Sequence, residues 1–93
     1  MTLRIETTRD RGTTVHYLIG RIGSENVAEV EAEVHRDRGR VALDLEEVML
    51  VDMDAVQFLV ACETAGIQLL HCLPYIRAWM DREQSRADGA SRG

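Results

Sequence analysis

Residues 41–60 read Val41-Ala-Leu-Asp-Leu-Glu-Glu-Val-Met-Leu-Val-Asp-Met-Asp-Ala-Val-Gln-Phe-Leu-Val60. The run from Val41 to Leu45 is apolar and rich in β-formers, the pattern of a buried central strand. Glu46-Glu47 is a short acidic connection, and Val48 to Val51 a second apolar step. Asp52 then stands directly before a helical pattern. Its carboxylate suits an N-cap, accepting free amides of the first turn and opposing the positive end of the helix dipole. Val56, Leu59, Val60 and Glu63 recur at i, i+3, i+4 and i+7, with Ala55, Phe58 and Cys62 alongside. The order is strand, turn, acidic cap, apolar helix, and the cap is the expected place of function.

Upstream, Leu3 to Thr7 alternates apolar and polar residues, as a half-exposed edge strand does. Arg9-Asp10-Arg11-Gly12 reads as a turn, and Val15 to Ile22 as a second strand closing an antiparallel hairpin. Ser24 is the expected N-cap of a first helix, with Glu25 in its first turn. Val27, Val30 and Val34 with Ala28 and Ala32 form its apolar stripe, and Gly39 is expected to end it. Downstream, Ala65-Gly66 closes the second helix and Ile67 to His71 makes a further strand. Pro74 opens a third helix whose apolar face is Tyr75, Ile76, Trp79 and Met80. Beyond Gln84 the periodicity ends.

The fold class that follows is α/β, in the order β-β-α-β-α-β-α. It is a four-stranded mixed sheet with an N-terminal hairpin, parallel remaining strands, right-handed crossovers and three helices. Residues 1–84 form the single domain and 85–93 a flexible polar tail.

Bulk composition narrows the function. The 93-residue chain carries a net charge of −5, and its eleven basic residues are all arginines, of which only Arg36, Arg38 and Arg40 cluster. Nucleic acid and anionic membrane surfaces are therefore poor partners. No apolar run approaches the roughly 20 residues of a membrane helix, and Met1 leads into a strand rather than a signal segment. Cys62 and Cys72 lack metal spacing and read as reduced thiols of a cytoplasmic protein.

Sharper chemistry finds little support. Asp52-x-Asp54 suggests magnesium or phosphoryl-acceptor chemistry, but a hard cation wants more oxygen ligands and the chain has no lysine. His71 and Cys72, adjacent on a strand end, point to opposite faces and do not make a base–nucleophile pair. His16 and His35 have no ligand spacing between them, and Gly20 and Gly23 do not make a phosphate loop. The reading names no catalytic residue, no metal and no cofactor.

With this order in hand, the chain resembles the STAS domain, the sulphate-transporter and anti-sigma-factor-antagonist family, over roughly residues 3–83. The residues that carry the resemblance are Leu18-Ile-Gly20-Arg, Val41-Ala-Leu-Asp44-Leu and Leu50-Val-Asp52-Met-Asp-Ala-Val-Gln-Phe-Leu59. The family pattern at the last is Asp-Ser-Ser/Thr-Gly-Leu. Here Met53 stands where the phosphorylated hydroxyl belongs, Asp54 replaces the next Ser, Ala55 the Gly, and Gly23 a frequent Asp. The family's usual last strand and helix have no counterpart. One carboxylate at Asp54 supplies about one charge against roughly −1.5 to −2 for a phosphate, so a permanently altered surface is expected rather than a phosphoserine mimic.

The resemblance implies a bacterial, cytoplasmic, non-enzymatic regulator whose partner is an anti-sigma factor or related regulatory kinase. It implies docking through Asp52, Met53, Asp54, Ala55 and Val56 together with Gly23, Ser24 and Asn26. The alternative it leaves open is an accessory subunit of an ABC-type lipid transport complex. Tyr75, Trp79 and Met80 are a candidate surface for a homodimer or partner.

Overall fold

The computed structural model describes residues 3–37 and 39–91. Its elements are β1 (Arg4–Asp10), β2 (Thr13–Ile22), α1 (Ser24–Arg36), β3 (Arg40–Asp44), β4 (Val48–Val51), α2 (Met53–Thr64), β5 (Gln68–Leu70) and α3 (Pro74–Ser91). β1 and β2 pair antiparallel through a two-residue turn, Arg11-Gly12. Both turn residues have positive φ, 52° and 84°, the twist a tight hairpin requires. β2 then pairs in parallel with β3, and β3 with β5, so the path is β1-β2-β3-β5.

The sheet has five strands, not four. The apolar step after Glu46-Glu47 is itself a strand, β4, which pairs in parallel with β2 from Gly20↔Val48 to Ile22↔Val51. β4 takes up along β2 the pairing that β3 leaves at Tyr17↔Asp44. The register shifts between Gly20 and Arg21, where Gly20 sits at φ 103°, a backbone conformation an L side chain resists. The Gly20 amide reaches the Glu47 carbonyl across this irregularity at 3.1 Å.

Side-chain alternation along β2 and β3 assigns the sheet faces. Leu18, Ile22, Leu43 and Leu45 join one core with Val30 and Val34 of α1, Val56 and Leu59 of α2, and Ile76 and Met80 of α3. Val15, Ala42 and Asp44, of opposite parity, are also buried but lie on the other face. His16 is a polar residue of the helix side and is 2% exposed. Its Nε2–H donates to Asp37 Oδ2 at 3.1 Å, and Nδ1 is hydrogen-bonded with the Thr7 hydroxyl at 2.8 Å. Both ring nitrogens are satisfied, as burial of an imidazole demands.

Three further boundaries differ from the sequence reading. The N-cap of α1 is Gly23, with Ser24 inside the helix. The C-cap of α1 is Asp37 in extended conformation, two residues before the expected stop at Gly39. Asp37 ends the helix because its side chain is held by His16 and by Thr14; Arg38 lies outside the described residues. α3 continues through Ser91 into the stretch expected as a tail. Apolar periodicity stops at Met80, but the helix-forming residues after it and a Glu83–Arg86 pair three residues apart suit a helix. Arg92 and Gly93 lie outside the described residues.

Gly20→Ala places a Cβ on a positive-φ backbone at the register shift between β2 and β4. The expected loss is about 1–3 kcal/mol, read as a lower urea midpoint with an unchanged slope.

Candidate functional site

Asp52 is the N-cap of α2, at φ −110° with extended ψ. Oδ1 accepts the Ala55 amide at 2.9 Å, the capping bond the sequence predicts. Oδ2 accepts the Ser24 amide, the first residue of α1, at 2.8 Å. The Asp52 amide donates in turn to the Ile22 carbonyl at 3.3 Å. One carboxylate thus joins the starts of two helices and fastens both to the end of β2. The Ala55 amide is the main influence holding the Asp52 carboxyl below its ordinary value; burial opposes it, and the Ser24 amide and the Arg21 charge reinforce it.

The start of α1 is fastened locally as well. The Gly23 amide donates to Asn26 Oδ1 at 3.0 Å, and the Asn26 amide donates back to the Gly23 carbonyl at 2.8 Å. A Cβ built at Gly23 would meet the Glu25 carboxylate and lie 3.3 Å from Asp52 Oδ2.

Of the residues predicted at this site, Met53, Asp54 and Ser24 are exposed, and Asp52 and Asn26 are half-buried. Gly23 is buried, and Ala55 and Val56 are fully buried in the core. Ala55 and Val56 therefore hold α2 in place and present no side chain to a partner. The second candidate surface is corrected in the same way. Met80 is buried among the core residues and Trp79 packs partly against them, so only Tyr75 remains open, at 47% exposure. Periodicity grouped the three, but α2 packs along one side of that helix.

The structure adds residues that the sequence reading passed over. Met49 is 73% exposed and Leu50 61%, both on β4 beside the cap, and the Tyr75 hydroxyl donates to the Met49 carbonyl at 3.1 Å. Met49, Leu50, Met53 and Tyr75 thus place exposed apolar side chains around the start of α2. Four consecutive apolar residues, too many for one face of an edge strand, were the available signal. Carboxylates flank them: Glu46, Glu47 and Asp54 are all exposed.

A cleft of about 590 Å³ opens at the opposite end of the sheet, among Thr13, Arg40, Gln68, His35, Asp37 and Gly66. None of the predicted site residues lines it, so the candidate site is a surface rather than a pocket. The two thiols are poor nucleophiles: burial pushes Cys62 up to about 12 and raises Cys72 as well. His71 pairs with Asp44 rather than with Cys72. Among the described residues, no helix is long and apolar enough to cross a membrane.

This arrangement was compared with solved structures. An anti-sigma factor antagonist, SpoIIAA in its unphosphorylated form, superposes with a TM-score of 0.62 at 17% identity, over 99% of this chain and 99% of that one. The fold is that of the STAS domains. An antisigma-factor antagonist STAS domain from Rhodobacter sphaeroides gives a TM-score of 0.53 at 16% identity, over 74% of this chain and 84% of that one. Although the sequence reading finds no counterpart for the family's last strand and helix, the likeness to SpoIIAA runs over nearly that whole chain. No family model and no curated protein matches the sequence.

Asp52 makes a direct prediction. Because its folded-state pKa is depressed, its stabilisation is present above the ordinary value of 3.8 and is lost as pH falls through the lower folded value. Asp52→Asn keeps a capping oxygen and should lose this component of acid sensitivity. Asp52→Ala should cost about 1–2 kcal/mol at neutral pH. Urea unfolding of the three proteins at pH 7 and pH 3 measures both effects.

Proposed function

We propose that this chain is a non-catalytic regulatory module that binds another protein through the start of α2 and the adjoining start of α1. The observation that carries the reading is the Asp52 carboxylate bonded to both the Ala55 and the Ser24 amides. It presents two helix starts side by side as one rigid surface, with Met53 and Asp54 exposed on it. Exposed Met49, Leu50 and Tyr75 extend that surface with apolar area of the kind found at protein interfaces. The likeness in fold to two anti-sigma factor antagonists supports the same class of partner, an anti-sigma factor or a related ATP-binding regulatory kinase in a bacterial cytoplasm.

Met53 has no hydroxyl, and no residue from Asp52 to Val56 carries one. Binding is therefore not switched by phosphorylation at the start of α2. At that position the chain works as an antagonist its kinase cannot switch off.

The test is capture from bacterial extract on the wild-type chain, followed by affinity measurement with the recovered partner. An anti-sigma kinase is expected, with Met53→Lys and Met49→Glu each weakening it at least tenfold and Glu31→Lys, on the outer side of α1, leaving it unchanged. Adding ATP should leave the wild-type complex intact, whereas Met53→Ser should become phosphorylated and dissociate. ATP-dependent release of the wild-type chain overturns the reading, and recovery of a transporter ATPase replaces it with the accessory-subunit role.

A further inference from the structure

We propose that Asp44, Glu46 and His71 bind a divalent transition-metal ion of the Zn²⁺ class. The topology assembles them. β3 and β5 are parallel neighbours with Asp44 opposite Leu70, so His71, the next residue, falls beside Asp44 at the carboxyl ends of both strands. Glu46 follows two residues after Asp44, in the turn that leads to β4. In open sheets of this type the carboxyl ends of the strands are where ligands bind. One donor atom from each of the three side chains lies within 4.8 Å of the other two.

The distances suit one ion. His71 Nδ1 and Asp44 Oδ2 are 3.0 Å apart. Two ligands bonded to one zinc at about 2.0–2.2 Å stand roughly 3.4 Å apart in a tetrahedral shell, so a cation can take the place of the shared proton with little movement. Glu46, whose donor lies within 4.8 Å of the other two, reaches the same spacing by a small inward swing of its exposed side chain. Asp44 is the fixed member, 6% exposed, with Oδ1 oriented by the Glu46 amide at 3.0 Å. An orienting bond of this kind steadies a ligand carboxylate.

The donor set selects the ion. An imidazole with two carboxylates fits zinc and its neighbours, whereas magnesium and calcium call for more oxygen donors. Three protein ligands leave a position for water or for a side chain of a partner. His71 is also a non-glycine residue at φ 54°, so its imidazole is brought to Asp44 by a left-handed backbone step. The sequence reading named no metal because these residues lie 27 positions apart and meet only through the β3–β5 pairing. An ion here would tie the turn before β4 to the strand ends and so steady the segment that bears Met49 and Leu50.

The test uses the untagged chain stripped with EDTA and titrated with Zn²⁺ against a chromogenic chelator, with Co²⁺ as a spectroscopic probe. One equivalent is expected to bind saturably, with a visible Co²⁺ ligand-field band. His71→Asn, which tolerates the left-handed backbone, and Glu46→Gln should each weaken binding at least tenfold. His35→Ala should bind as wild type does. Far-UV circular dichroism confirms that each variant is folded. Absence of saturable Zn²⁺ binding, or equal binding by His71→Asn, overturns the proposal; neither result bears on the protein-binding surface, whose variants are separate.

Discussion

The bond pair made by Asp52 is the constraint on which this structure turns. Helix starts carry unsatisfied amides and a positive dipole end, and bringing two of them together is electrostatically unfavourable without an anion between them. Asp52 supplies that anion from within the chain, one oxygen to each helix. Its amide is held by β2, so the carboxylate position is set by the sheet rather than by either helix. The exposed residues beside it, Met53 and Asp54, inherit that rigidity. As the proposed docking surface it would need little ordering when a partner arrives, which lowers the entropic cost of association.

The same geometry explains why the region contains both acidic and apolar groups. Asp52 is occupied inward and offers little to a partner, whereas Glu46, Glu47, Asp54 and the side chains of Met49, Leu50 and Met53 face outward. Apolar contact supplies area and flexible methionines adapt to shape. The flanking charges disfavour acidic surfaces.

Much of this was legible in residues 41–60. The buried strand, the acidic turn, the Asp52 cap and the apolar helix follow from composition and period alone, because each rests on contacts within a few residues. The hairpin turn at Gly12, the Gly66 helix end and Pro74 at the start of α3 were readable for the same reason. What stayed hidden depends on partners distant in sequence. β4 is four residues long with apolar side chains on both faces, and it is a strand only because β2 runs past the end of β3. Gly23 displaces Ser24 as a cap because Asp52, 28 residues beyond Ser24, takes the Ser24 amide. The Asp44–His71 pair exists only once β3 and β5 are neighbours.

The hairpin leaves β1 as an outer edge of the sheet, and its residues Arg4, Glu6, Arg9 and Asp10 are all exposed. An uncovered edge is a template on which a second chain can add a strand, the first step toward fibrillar assembly. Charges of both signs along this edge set a strand of another chain against like charge in most registers, and β5 at the far edge is only three residues long. Mixed charge along β1 and the shortness of β5 thus oppose self-templated growth at these two rims.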